Sequence, residues 1–166
     1  MANIYTFAPK YAEGQAMEQA LFTILSSRWP QYDWRMATDR EDMTRGIDFW
    51  MGNVGVQVKY DVRCAETGNF FIETIANENT GQKGGIHSSQ ATWVVYTDGK
   101  TGYVVKRTAL LDAIRGEWLR IPRKAALNRE GGKEWVSLGI PVTVKQFCNV
   151  LQPKVFCLSS DTASVP

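Results

Sequence analysis

Apolar positions along this chain first follow a helical period and then a strand period. In residues 14–29, Met17, Ala20, Leu21, Ile24 and Leu25 recur at three- and four-residue spacing, and Pro30 ends the run. That spacing predicts an amphipathic first helix. Short β-rich runs follow at 32–37, 46–51, 54–60 and 69–76, punctuated by Gly52-Asn53 and Thr67-Gly68-Asn69. The second and third of these runs read as a hairpin. Residues 92–96 and 103–106 flank Asp98-Gly99 and read as another tight antiparallel pair. A second helical pattern, with Leu110, Leu111, Ile114 and Trp118, is expected to start at Thr108 as its N-cap. Residues 135–158 read as a strand and a short helix, with Thr143 capping 144–151. Helix, several strands, helix implies an α/β (α+β) domain built on a central mixed sheet flanked by helices.

Composition narrows this picture without changing it. A length of 166 residues, 44% of them apolar and six of them tryptophan, suits one core, so a single domain over 1–158 is expected. The polar stretch 159–166 is expected to be a disordered tail. A formal net charge of +2 leaves any polyanion-binding surface to local clusters. Cys64, Cys148 and Cys157 lie far apart and outside any metal-ligand spacing, as free thiols in a reducing cytoplasm would. The start of the chain lacks a basic segment followed by an apolar run, and no stretch approaches the roughly 18 apolar residues of a membrane span. A cytoplasmic protein with no membrane partner is the expectation.

Chemistry concentrates between Asp48 and Glu73. Asp48 falls in the first strand of the hairpin, while Gln57, Lys59 and Asp61 alternate along the second and share one face; Val56, Val58 and Tyr60 fill the other. Such a face is either an ordinary solvent-exposed surface or a site. The arrangement Ile47-Asp48, a glycine-containing turn, then Val56-Gln57-Val58-Lys59 resembles the PD-(D/E)XK nuclease superfamily, in which an acidic residue is followed on the next strand by Glu-x-Lys or Asp-x-Lys. The downstream stretches TGNFFIET and GGIHSSQATWVVYTDGKTGYVV also resemble phage-encoded members.

The resemblance implies a restriction-endonuclease-like fold and a Mg²⁺- or Mn²⁺-dependent deoxyribonuclease. In its terms Asp48 and the Val58 carbonyl bind the metal, and Lys59 orients or deprotonates the attacking water. Position 57 departs from the pattern: Gln57 offers a neutral amide oxygen where a carboxylate is usual. A compensating carboxylate is sought in Glu73, which interrupts an apolar run, or in Asp61. Glu18, on the first helix, resembles the helix-borne glutamate of Holliday-junction resolvases and is assigned a metal or metal-water contact.

For DNA contacts the candidates are Lys83, His87 and Ser88 around the glycine-rich segment, and Arg120, Arg123 and Lys124 in a loop after the second helix. The 81–85 segment lacks P-loop spacing, which argues against nucleotide hydrolysis. Two functional classes remain. One is a DNA endonuclease of resolvase, nicking or restriction type, with a homodimer expected where two strands are cut. The other is an inactive nuclease-fold module that binds DNA or protein, such as a phage factor acting on host machinery.

Overall fold

Runs rich in β-branched and aromatic residues are divided between two sheets. The computed structural model describes residues 4–130 and 132–159. Its elements are, in order, β1 (Ile4–Thr6), α1 (Phe7–Arg28), β2 (Trp34–Met36), α2 (Asp39–Arg45), β3 (Phe49–Met51), β4 (Val54–Tyr60), α3 (Cys64–Thr67), β5 (Asn69–Asn77), β6 (Gln82–Lys83) and α4 (Gly85–Ser88). They continue with β7 (Trp93–Thr97), β8 (Thr101–Lys106), α5 (Arg107–Arg115), β9 (Lys124–Glu130), β10 (Lys133–Thr143), α6 (Val144–Leu151) and β11 (Lys154–Cys157). The six-stranded sheet has the order β11-β8-β7-β4-β3-β2, and the five-stranded sheet the order β1-β9-β10-β5-β6. In the first, β4 and β7 run parallel and all other neighbours antiparallel. The fold is α+β with a mixed sheet flanked by helices, as the hydrophobic pattern implies.

Burial explains the layering. The β7 segment Val94–Thr97 is buried throughout, because a strand in the middle of a covered sheet has no wet face. Its Val95 joins Leu21 and Leu25 of α1 with Phe49, Val56 and Val58 in one apolar cluster. Val94 and Tyr96 point the other way, into a larger cluster with Phe70 and Ile72 of β5, Ile140 and Val142 of β10, Leu110 of α5 and Phe147 of α6. There the Phe147 ring sits 5.1 Å from Phe70, 5.3 Å from Tyr96 and 6.0 Å from Trp118, measured between centroids. Truncating such a fully enclosed ring costs about 3–5 kcal/mol. The six-stranded sheet is therefore sandwiched between α1 and the second sheet with its helices.

Several sequence expectations are met and several corrected. The 54–60 strand, its hairpin with β3, the β7–β8 pair and the Thr143-capped helix all form. α1 begins at Phe7, well before Gly14, the start that the apolar stripe indicated. α2 was not foreseen, although Thr38 and Glu41 form a complete capping box, the side chain of each accepting the other's backbone N–H. Thr108 is not an N-cap: β8 runs directly into α5, and Lys106 holds that position with no side-chain cap. Lys124 opens β9 and does not lie in a loop; β9 is ordered by β10 on one side and β1 on the other. The segment read as a glycine-rich loop carries β6 and the single-turn α4, which places His87 and Ser88 on a helix. Apart from Ser159, the 159–166 tail lies outside the described residues.

Candidate active site

The site is built where the chain enters β3 beside β4. Gly55 O accepts from Thr92 N and Asp61 N donates to Thr97 O, so odd-numbered residues of β4 direct their backbone groups toward β7; Val56 O accepts from Asp48 N, so even-numbered ones face β3. Asp48 precedes β3, a correction to its expected place in the strand, though its carbonyl still accepts from Ala37 N at 3.0 Å. Val58 consequently has no strand partner on that edge. Its N–H donates instead to Asp48 Oδ2, and strand alternation turns its carbonyl toward the same edge. Asp48 is 8% exposed. Burial pushes its carboxyl up to about 6, with Asp42 adding to the rise and the Val58 N–H and Lys59 opposing it.

The polar face of β4 is not solvent-exposed surface. Gln57 is 6% exposed, and its Oε1 has no hydrogen-bond partner among the described residues. An orphaned buried amide oxygen costs roughly 1–3 kcal/mol and points to a missing electrophile or donor. Two glycines make room for this group of side chains. Gly46, at φ +58° as the C-cap of α2, would with a Cβ press on Gln57 Nε2 at 3.3 Å. A Cβ on Gly85 would lie 2.8 Å from Lys59 Nζ. Glu73 Oε1 reaches the same glycine, accepting its N–H at 3.4 Å. Lys59, Gln57 and Glu73 therefore meet at Gly85, and among the described residues Lys59 is in neither of the two ion pairs.

Glu18 approaches from α1. Burial pushes its carboxyl up to about 8, Asp48 and Asp42 raise it further, and Lys59 pulls against them. Asp42, carried by α2, thus joins the site although sequence reasoning passed over it. The Thr-x-x-Glu box that starts α2 was the available signal. Asp61 does not compensate for Gln57. Its two oxygens accept the N–H groups of Arg63 and Phe71, at 3.0 and 2.8 Å, and so hold a turn together.

No three His, Cys, Asp or Glu side chains among the described residues stand close enough to hold a cation by themselves. A cation here would take oxygens outside that set. Asp48, the Val58 carbonyl edge and the unpartnered Gln57 Oε1 are hard oxygen donors, which suit Mg²⁺ or Mn²⁺. On that chemistry the residues fit the ion, with Glu18 and Asp42 alongside and Glu73 at Gly85 beside Lys59.

Past Gly85 the surroundings turn basic. The His87 imidazole is pulled below its ordinary range by burial first, then by Lys83, Arg115, Arg123 and Arg107. Its Nδ1 is buried without a partner. Lys83, His87 and Arg123 thus share a neighbourhood with Arg107 and Arg115, two residues the sequence reading had not grouped there. Arg107 is anchored on the carbonyls of Ala91 and Ile86 at 3.0 and 3.3 Å. Ser88 Oγ donates back to its own helix. Arg120 is exposed. No helix among the described residues is long and apolar enough to cross a membrane. Comparison of the chain with protein-family models, curated proteins and solved structures finds no match.

Proposed function

We propose that this chain is a divalent-metal-dependent DNA endonuclease with a site of the PD-(D/E)XK type. The observation that carries the proposal is the buried Asp48 carboxylate on the Val58 edge where β3 begins, with Lys59 acting on it and the orphaned Gln57 side chain beside Lys59 at Gly85. A bound Mg²⁺ or Mn²⁺ would supply Lewis-acid relief of phosphoryl charge and a more acidic water. Asp48, the Val58 carbonyl and Gln57 would hold it. The Lys59 ammonium offsets charge on the phosphate and donates to the attacking water, fixing its direction. Glu18 and Asp42 bring two more carboxyl groups beside Asp48, and a bound cation would favour their ionised forms. Lys83, His87, Arg107, Arg115 and Arg123 offer positive charge for backbone phosphates beyond Gly85. Three free cysteines accord with action in a reducing cytoplasm. A homodimer would supply the two sites a double-strand cut needs.

The neutral amide of Gln57 favours a second reading, an inactive module of the same fold that binds DNA or a protein partner. The test is cleavage of supercoiled, linear and branched DNA with Mg²⁺ or Mn²⁺ by wild type, Asp48→Ala and Lys59→Ala. Metal-dependent cutting lost in both variants is the expected result. No cutting by wild type, with binding equal in all three proteins, would establish the second reading.

A further inference from the structure

Lys59 faces a cleft that the nuclease reading does not use. A cavity of about 260 Å³ lies between the sheets, with Lys59 and Glu73 at one end and Arg63, Phe71, Tyr96 and Asn128 among its walls. A second, of about 270 Å³, continues it past Lys124 and shares Asp61, Arg63, Phe71 and Ala126 with the first. Each is near the lower limit of the roughly 300–1,000 Å³ typical of small-molecule sites. Such a space takes one base with its sugar but not a base pair with two backbones.

The walls have the chemistry of a single-strand groove. Lys59, Arg63 and Lys124 are cations along it and Phe71 is an aromatic wall common to both cavities, while the Tyr96 ring is enclosed in the core. Cationic grooves with interleaved aromatics hold single strands by phosphate attraction and base stacking, the latter about 1–3 kcal/mol per base. The Phe71 ring is fixed from behind, lying over Gly139 where a Cβ would approach it to 2.5 Å. Asn128 is set in one orientation, its Nδ2 donating to Ala126 O at 3.2 Å and Ser137 Oγ at 3.1 Å. With both amide hydrogens engaged, its Oδ1 is left as an acceptor for a base amino group. The two carboxylates of the cleft are held in place by backbone N–H groups, Asp61 by those of Arg63 and Phe71 and Glu73 by that of Gly85.

We infer that this cleft holds an unpaired nucleotide next to the scissile phosphate, so that the DNA acted on is single-stranded or locally unpaired. The inference rests on the nuclease reading for its chemistry, but binding can be measured without hydrolysis. Fluorescence anisotropy in Ca²⁺ would compare a labelled single-stranded 12-mer with the matched duplex, using the full chain. Wild type is expected to bind the single strand at least about ten-fold tighter. Ala126→Phe, which fills the cleft, and Asn128→Ala are both expected to reduce that preference while duplex binding stays constant, with thermal unfolding confirming that each is folded. If Ala126→Phe does not fold, Asn128→Ala decides. Equal binding of the two DNAs by wild type, or a preference unmoved in a folded variant, overturns the inference. Failure of cleavage in Mg²⁺ with the preference intact would count against the nuclease reading alone.

Discussion

Two aspartates beside the same strand have opposite fates. Asp61, just past β4, satisfies two backbone N–H groups and is itself satisfied by them. Asp48, across from Val58, is more deeply buried, takes one N–H, and stands among groups that are open among the described residues: Gln57 Oε1 without a partner and Lys59 without an ion pair, with the carboxyls of Glu18 and Asp42 nearby. A fully paired polar group reports structure. A cluster whose polar groups remain unpaired, at a cost to stability, is where a ligand would find open donors and acceptors.

That contrast can be broken most sharply at Asp48. Asp48→Asn keeps an acceptor for the Val58 N–H but removes the charge, so cleavage should fall about 100-fold or more while thermal stability at pH 8 holds or rises. A plasmid-nicking assay beside a melting curve reads both. Asp61→Ala should do the reverse. Leaving two N–H groups without their acceptor costs about 1–3 kcal/mol, seen as a melting temperature several degrees lower, with cleavage per folded molecule retained.

A smaller effect follows from Glu18. Its carboxyl is raised from 4.5 to about 8, so between those values the folded protein binds more protons than the unfolded one. Stability is then fully present at low pH and is lost as pH rises toward 8; Asp48, raised to about 6, acts in the same direction. Metal-free melting curves should therefore decline from pH 5 to pH 8, and Glu18→Gln should flatten the decline. The smallest effect separates the two capped helices. Thr38→Ala and Thr143→Ala should each cost about 0.5–2 kcal/mol, but only the first, which loosens α2 and with it Asp42, should lower cleavage. Equal cleavage in both would remove Asp42 from the site.

Much of the site lay open in the sequence because it occupies one hairpin. Asp48, Gln57, Val58 and Lys59 lie within a single supersecondary unit whose register follows from alternation and a glycine turn. Glu18 was reachable because it borders an apolar helical stripe. Asp42 was legible through its capping box and was nevertheless missed. Arg107 and Arg115 had no comparable signal. They join Lys83 and His87 only because α4 and α5 are brought together, and no period within either segment encodes that distance.

Asp48 and Lys59 were singled out by a family resemblance and not by periodicity, whereas local periodicity by itself determined the α+β class, the β3–β4 and β7–β8 hairpins and the Thr143 cap. Each depends on residues a few positions apart, where backbone geometry leaves few choices. Tertiary structure alone decided that the polar face of β4 would be covered, that Asp61 would be taken up in a turn, that β9 would be a strand and that a cleft would open beside Lys59. Those outcomes depend on which surfaces meet across the two sheets, and burial, not sequence spacing, determines whether a polar side chain is paired or left open for chemistry.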